Sequence, residues 1–331
     1  MLFDAAHEAE LLHKATKSSW NTDHELLIHV VAQNERTTEQ MQELRRAYWK
    51  EYNRCPIEAV KKATNLPHQS AYSNALVATL LTGEEFAAQC LYDAMKGLGT
   101  DERAMIQILA HSTKEEVEQI KAAYLRTYGK TLEADIVDDT SGAEREFFLG
   151  LVNAPRSHVD VTSAEAEIER DVAELYLAGQ AKWSNDISAF VKIITKHDNE
   201  YLAALNLAYG RAHGDTLIRA VEQEINSGCL EKGMKAMIMD RADFYASELN
   251  KAISGGGTNC DALTRIIATQ RHTMPTICHR YMTNYGKNLS HHMQQEDAIN
   301  GTQYGKQESA IDDMQYGKVG ELADSSLQTV V

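Results

Sequence analysis

The sequence predicts an all-α protein built from four repeats of about five short helices each. Apolar residues recur at helical spacing, as in Met105, Ile108 and Leu109. Only four prolines interrupt the 331 residues, and alternating strand patterns are hard to find. Loops of similar sequence, each followed at the same distance by an acidic residue, occur more than once. This recurrence indicates a repeat longer than the helix pairs of ordinary solenoids.

The clearest loop covers residues 95–102 and joins two helical patterns. Gly97 and Gly99 allow sharp turns, and Thr100 is predicted to cap the following helix. A loop lined with carbonyl oxygens suits a hard cation when an acid is supplied from elsewhere in the chain. Asp139 follows Gly99 in the sequence. We call the number of residues between these two positions the loop-to-acid spacing, and the same spacing recurs along the chain. The sequence therefore predicts a cation site formed by this loop and this carboxylate.

The loop-to-acid spacing is found in three further places. It joins Ser184 to Glu224, Gly257 to Asp297 and, near the start, Asn21 to Lys61. The first of these has serine where the clearest loop has glycine, and the last ends in a cation. Two further cation sites are therefore predicted, and none in the first repeat.

The loop positions Asn21, Gly99, Ser184 and Gly257 are separated by similar intervals, and the middle interval is the longest. The longer middle interval is explained by a proline-containing linker. The predicted organisation is repeat 1 at residues 5–82, repeat 2 at 83–153, the linker at 154–164, repeat 3 at 165–241, repeat 4 at 242–316 and a flexible polar tail at 317–331.

The composition restricts the partners and the cellular compartment that we expect for this protein. The formal net charge is −15, which repels nucleic acid and anionic lipid, so binding to an anionic surface needs a bridging cation. Five cysteines without a Cys-x-x-Cys pair indicate free thiols in a reducing cytosol. The N-terminus does not look like a signal peptide, and the longest apolar run, at residues 75–81, is too short to cross a bilayer.

No constellation for catalysis is found, so the chain is predicted not to be an enzyme. His24 and His29 are five residues apart, which turns them about 140° from each other on a helix, so they cannot face one zinc ion. No glycine loop continues into Gly-Lys-Ser/Thr, which a phosphate-binding loop would need.

The four repeats resemble the annexin family over residues 5–316. The strongest match is repeat 2, with residues 95–102, Tyr124, the stretch 128–132 and the acidic stretch 138–142. The resemblance implies a slightly curved disc whose convex face binds calcium and, through it, anionic phospholipid. In this family three loop carbonyls and one distant acid hold each ion.

The resemblance implies a ligand set for three repeats. These are Met95, Gly97, Gly99 and Asp139 in repeat 2, Gly179, Lys182, Ser184 and Glu224 in repeat 3, and Ile253, Gly255, Gly257 and Asp297 in repeat 4. Leu98 and Trp183 stand at loop tips and are expected to touch the membrane. Trp20 is at the matching position in repeat 1, and its sequence context favours neither contact with the membrane nor packing against the protein.

The chain also departs from the family pattern. Counting from Gly286 selects Glu296 instead of Asp297 as the acid of repeat 4. The arginine usual after each loop is replaced by Asn34, Ser112, His197 and Gln270, and such divergence resembles that of protist annexins, including the α-giardins. The expected function is calcium-dependent peripheral membrane binding in the cytoplasm. The alternative is a calcium-independent scaffold with cytoskeletal partners.

Overall fold

The computed structural model describes residues 3–17, 22–31, 37–64, 70–154, 156, 160–179, 187–225, 228–255 and 258–299, with only the backbone for residues 70 and 297–299. All regular structure in these ranges is helical, and nineteen helices are found there. None of them is long and apolar enough to cross a membrane. The prediction of an all-α, four-repeat fold is confirmed.

The helices fall into four groups along the chain. Repeat 1 contains α1 (Ala5–Ala15), α2 (His24–Val31), α3 (Thr38–Tyr52), α4 (Pro56–Thr64) and α5 (Ser70–Leu80). Repeat 2 contains α6 (Gly83–Met95), α7 (Glu102–Leu109), α8 (Lys114–Tyr128), α9 (Leu132–Asp139) and α10 (Gly142–Asn153).

Repeats 3 and 4 follow the same order. Repeat 3 contains α11 (Glu165–Gly179), α12 (Ile187–Lys196), α13 (Asn199–His213), α14 (Leu217–Glu224) and α15 (Gly228–Ile238). Repeat 4 contains α16 (Arg241–Ser254), α17 (Cys260–Thr269), α18 (Met274–Tyr285) and α19 (Leu289–Ile299). The fifth helix expected in repeat 4 and the predicted tail lie outside the described residues.

A recurring pair of stacked rings joins the first and third helices of the first three repeats. Its members are His13 on Tyr52, Tyr92 on Tyr128, and Tyr176 on His213, with ring centroids 3.9, 3.9 and 3.8 Å apart. The interplanar angles do not exceed 6°. Because the pair recurs at matching positions, these three repeats share one internal arrangement as well as one helix order.

The chain divides into two compact units, Met1–Phe86 with Ala246–Val331, and Ala87–Tyr245. In the first unit α5 packs on α17, and in the second α10 packs on α12. The contact of α10 with α12 depends on Gly150, because a Cβ there would lie 2.5 Å from the hydroxyl oxygen of Thr195. Phe147 and Phe148, also on α10, are fully buried in this second core.

Candidate functional site

The loop of repeat 2 runs from the end of α6 to the start of α7. It is closed by the backbone N–H of Asp101, which donates to the carbonyl of Ala94 at 2.8 Å. Gly97 and Gly99 have φ values of 110° and 89°, a region that disfavours residues with a side chain. Between them Leu98 is fully exposed. The loop therefore presents backbone, and one apolar side chain, to the surroundings.

The acid predicted for this loop lies beside it. The hydroxyl of Thr100 donates to Oδ2 of Asp139 at 2.6 Å, and the carboxylate is half-buried. Thr100 was predicted to cap α7, but the cap is Asp101, whose Oδ1 accepts from the N–H of Ala104 at 2.9 Å. Because Asp101 takes that role, the Thr100 hydroxyl is available to hold Asp139 against the loop.

The helix that carries Asp139 is itself anchored. The Tyr124 hydroxyl on α8 donates to Oδ2 of Asp135 on α9 at 2.6 Å. Burial and this negative partner raise the pKa of Tyr124, so the phenol stays protonated and keeps donating. In repeat 4 the matching contact joins Tyr281 to Nδ1 of His292 at 2.6 Å, and burial, followed by the Lys287 charge, lowers the pKa of that imidazole. Both acid-bearing helices are thus fixed to the preceding helix.

Repeat 3 brings its acid to the start of its loop. A Cβ built on Gly179, the last residue of α11, would lie 3.2 Å from Cγ of Glu224 and 3.7 Å from its Oε1. The side chain of Glu224, at the end of α14, therefore packs on the backbone of Gly179. Lys182, Trp183 and Ser184, the other predicted residues of this repeat, lie outside the described residues.

The described part of the repeat 4 loop matches that of repeat 2. The N–H of Asn259 donates to the carbonyl of Ala252 at 2.8 Å, over the same seven-residue separation as Asp101 and Ala94. Asn259 has φ −86° and ψ 84°, close to −88° and 79° at Asp101. Ile253 is buried like Met95. In both repeats the predicted ligand atom of this residue is therefore its backbone carbonyl oxygen and not its side chain.

The remaining predicted residues of repeat 4 are only partly described. Gly255 follows α16 so tightly that a Cβ would lie 2.8 Å from the carbonyl oxygen of Lys251. Gly257 lies outside the described residues. Asp297 belongs to α19, but its side chain is outside the described part of the chain.

The helix caps define the position of the acid independently of the loops. The third helix of each repeat ends at a left-handed residue, which is Asn53, Gly129, Gly214 or Gly286. Ten residues after these caps stand Ala63, Asp139, Glu224 and Glu296. By this register Glu296, rather than Asp297, occupies the position of Asp139. In repeat 1 the position belongs to Ala63 and not to Lys61, which the loop-to-acid spacing selects.

Repeat 1 keeps the contact between loop and helix without the carboxylate. The Thr22 hydroxyl donates to the carbonyl of Ala63 at 2.9 Å, where Thr100 in repeat 2 reaches the Asp139 side chain. Ala63 is buried and offers no anionic oxygen. Trp20 and Asn21 lie outside the described residues.

The donor chemistry fits a hard cation in repeat 2. The carboxylate of Asp139, held by Thr100, lies beside a loop whose glycines leave the backbone exposed. Calcium takes oxygen ligands of these two kinds. In repeat 3 the described contact, Glu224 on Gly179, joins a carboxylate to the residue that begins the loop.

Comparisons with known proteins show the family and the fold. The family model described as Annexin matches residues 86–151 and 244–298, which contain the loops of repeats 2 and 4. Annexin A13 of mouse is 32% identical over 292 residues, covering 87% of this chain and 89% of that protein. A solved structure of annexin A8 has a TM-score of 0.81 at 26% identity and covers 95% of both chains.

A calcium-bound structure of α-14 giardin has a TM-score of 0.73, covering 94% of this chain and 99% of that one. At 19% identity this likeness shows a shared fold. The annexin A13 match covers 87% of this chain at 32% identity, a level that shows common descent, and the chain belongs to the annexin family.

Proposed function

We propose that this protein binds anionic phospholipid membranes peripherally and only with calcium, and that it is not an enzyme. Annexins are generally calcium-dependent phospholipid-binding proteins. The observation that carries the proposal for this chain is the 2.6 Å hydrogen bond from Thr100 to Asp139. It holds one carboxylate beside an exposed loop that contains two glycines in left-handed conformations.

Each proposed site combines three backbone carbonyls with one acid. The carbonyl residues are Met95, Gly97 and Gly99 in repeat 2, Gly179, Lys182 and Ser184 in repeat 3, and Ile253, Gly255 and Gly257 in repeat 4. The acids are Asp139, Glu224 and, by the register of the helix caps, Glu296 in preference to Asp297. A bidentate carboxylate and three carbonyls supply five of the six to eight oxygens that calcium takes. Water or a lipid phosphate would supply the rest.

Bound calcium would offset the repulsion between the acidic protein and anionic lipid. The chain carries a formal net charge of −15 and would still be negative with three calcium ions bound, so attraction to anionic lipid must be local to the loops. Salt screens exposed charges beyond about 8 Å at physiological ionic strength. An ion held between a loop and a phosphate is less exposed to this screening. Leu98 and Trp183 would add apolar contact beside the ions.

The sites would act together. One carboxylate per site predicts weak binding of calcium in solution, because affinity rises with the charge of the ligands. Several sites on one protein can engage the same membrane, and effective concentrations of order mM can raise avidity about 10²–10⁴-fold. We therefore expect steep calcium dependence on vesicles and shallow binding without them.

Co-sedimentation with vesicles tests the proposal. The protein should pellet with phosphatidylserine vesicles in calcium, stay in the supernatant with chelator, and stay there with phosphatidylcholine alone. Pelleting that ignores calcium, or no pelleting with phosphatidylserine, would refute the proposal. Calorimetry without lipid should show weak calcium binding, and a single tight site would contradict the account of avidity.

A calcium-independent scaffold on the cytoskeleton is the second candidate. It is favoured by repeat 1, where Ala63 stands in place of the acid and the Thr22 hydroxyl closes on a carbonyl. Under this candidate the protein would pellet with cytoskeletal filaments in chelator and would ignore vesicles. Under either candidate we propose a cytoplasmic location, at the inner face of a membrane or on the cytoskeleton.

A further inference from the structure

A cluster of metal-binding side chains lies in repeat 3, away from its loop. Oε1 of Glu167, Oδ2 of Asp171 and Nε2 of His197 all lie within 4.8 Å of one another. Glu167 and Asp171 are one turn apart on α11, and His197 follows the last residue of α12. Gly179, at the loop, is eight residues beyond Asp171, or about 12 Å along the helix. The cluster and the proposed calcium loop are therefore separate features of one repeat.

His197 is the feature that points to a ligand. Its side chain is only 3% exposed, yet its Nε2 makes no hydrogen bond within the described residues. That nitrogen faces the two acids, 3.3 Å from Oδ2 of Asp171 and 4.0 Å from Oε1 of Glu167. A buried polar atom without a hydrogen bond is costly. The two acids lie at ion-pair distance from Nε2 without forming a hydrogen bond to it, and a bound ion would give this nitrogen a direct partner.

The neighbours hold the cluster in place. The His197 ring stacks on Tyr201 with centroids 3.6 Å apart and an angle of 8° between planes, so its orientation is set. The Tyr201 hydroxyl donates to Oδ2 of Asp171 at 2.7 Å. These two contacts fix the positions of the Asp171 carboxylate and the His197 ring relative to each other.

We propose that Glu167, Asp171 and His197 form a zinc site, with water in the fourth position. In a tetrahedral zinc site with bonds of about 2.0–2.1 Å, ligand atoms are about 3.3 Å apart. The Asp171–His197 pair already has this separation, and Glu167, which is 30% exposed, needs only a small movement. An imidazole nitrogen with two carboxylates suits zinc, whereas calcium prefers oxygen ligands alone.

Lys196 competes with the metal. Its ammonium group donates to Oε1 of Glu167 at 2.8 Å, and its side chain is 52% exposed. Zinc would replace this contact and neutralise the two carboxylates. It would also link the N-terminal part of α11 to the end of α12, at the position where His197 replaces the arginine usual in the family.

Zinc binding by the full chain tests the proposal. The protein, in excess calcium, competes for zinc with a chromophoric chelator, and the affinity and stoichiometry are compared among variants. Wild type should bind one zinc at this site, and His197→Gln and Glu167→Gln should each weaken it at least about tenfold. Lys196→Ala should tighten it by up to about fivefold, because a surface ion pair no longer competes. The control His279→Gln, at an exposed histidine, should change nothing.

The outcomes separate the site from chance binding. The Glu167 side chain is partly exposed, so the Glu167→Gln variant remains informative if replacement of the buried His197 impairs folding. A wild-type protein that takes no zinc, or equal affinity in wild type and Glu167→Gln, would overturn the proposal. Anomalous scattering at the zinc edge should place the ion between α11 and His197. Anomalous peaks found only at other places would also overturn the proposal. None of these results depends on membrane binding.

Discussion

Glu224 packs on Gly179 so closely that a Cβ at residue 179 would lie 3.2 Å from its Cγ. This spacing is tighter than ordinary van der Waals contact between a Cβ and its neighbours, so a methyl group would push the glutamate aside. The contact joins the residue that starts the repeat 3 loop to the acid proposed to complete it. A single added carbon therefore tests whether the position of that carboxylate matters.

Gly179→Ala should raise the calcium concentration needed for half-maximal vesicle binding. Alanine favours the helix by up to about 1 kcal/mol over glycine, which offsets the crowding, so thermal stability in chelator should change little. Gly228→Ala is the matched control, because a Cβ there meets nothing within 4 Å. Equal calcium titrations for the two variants would remove repeat 3 from the proposed binding surface.

Asp139→Asn should weaken calcium-driven vesicle binding without unfolding the protein. The amide oxygen of asparagine can still accept from the Thr100 hydroxyl, so the loop keeps its contact, but the ligand loses its charge. Thermal unfolding in chelator should shift very little, while the calcium titration on vesicles moves to higher concentration. The neighbouring exposed Asp138→Asn and Lys61→Ala should leave that titration unchanged. An Asp139→Asn protein with the wild-type calcium requirement would show that another group closes this site.

The register of the helix caps favours one of two acids in repeat 4. Glu296 stands ten residues after Gly286, as Asp139 does after Gly129, and its side chain is half-buried. Glu296→Gln should therefore raise the calcium requirement on vesicles more than Asp297→Asn does. Combining Glu296→Gln with Asp139→Asn should raise the calcium requirement far more than either change alone, because under the proposal both sites engage one membrane. A larger effect of Asp297→Asn would favour the loop-to-acid spacing.

The sequence predicts the fold more securely than the sites. Helical periodicity and the recurring loop were enough for four all-α repeats, because each repeat reproduces the same pattern. The loop-to-acid spacing crosses several connections, and one insertion or deletion in any of them shifts the result. The count from the helix cap crosses only one short turn and one helix, so fewer insertions or deletions can change it. That is why the two counts agree at Asp139 and Glu224 and differ at Ala63 and Glu296.

Other features of the site depend on choices that local sequence leaves open. Thr100 and Asp101 are both good helix caps, and only the packing of α9 beside the loop shows that Asp101 caps while Thr100 holds Asp139. The proposed zinc site joins α11 to His197, which lies beyond the next helix of the chain. The spacing of Glu167 and Asp171 on one helical face was the available signal, but many exposed acid pairs have it.

Arg156 in the linker should be essential for the stability of its unit. Its buried guanidinium donates at 2.7–3.3 Å to four carbonyls, those of Leu109, Ala110, Leu151 and Ser112. The first two belong to the end of α7, where a cation is favoured by the helix dipole. Arg156→Met would leave buried carbonyls without partners and should lower the free energy of unfolding by at least about 2 kcal/mol.

Urea unfolding measures this loss. Arg170→Met, at an exposed position on α11, should differ from wild type by less than about 0.5 kcal/mol. If the two arginine variants unfold at the same urea concentration, the four carbonyl contacts contribute nothing to stability.

His111 should make the protein sensitive to mild acid. Its side chain is buried, and Nδ1 lies 2.7 Å from the amide nitrogen of Asn199, which donates, so Nδ1 must remain unprotonated. Burial, followed by the charges of Arg241 and Arg156, lowers the pKa of His111 to about 3. In the unfolded chain the same imidazole has a pKa of about 6.5.

The sign of the effect follows from these two values. Below pH 6.5 the unfolded chain takes up a proton at His111 that the folded chain refuses, down to about pH 3, so falling pH favours unfolding. Each pH unit in this window should cost about 1.4 kcal/mol, or roughly 2 kcal/mol at pH 5. His111→Gln removes the proton uptake and its side-chain oxygen can still accept from Asn199. Urea unfolding at several pH values should therefore fall less steeply for His111→Gln than for wild type and the exposed control His279→Gln, whereas three parallel curves would assign the acid sensitivity to other groups.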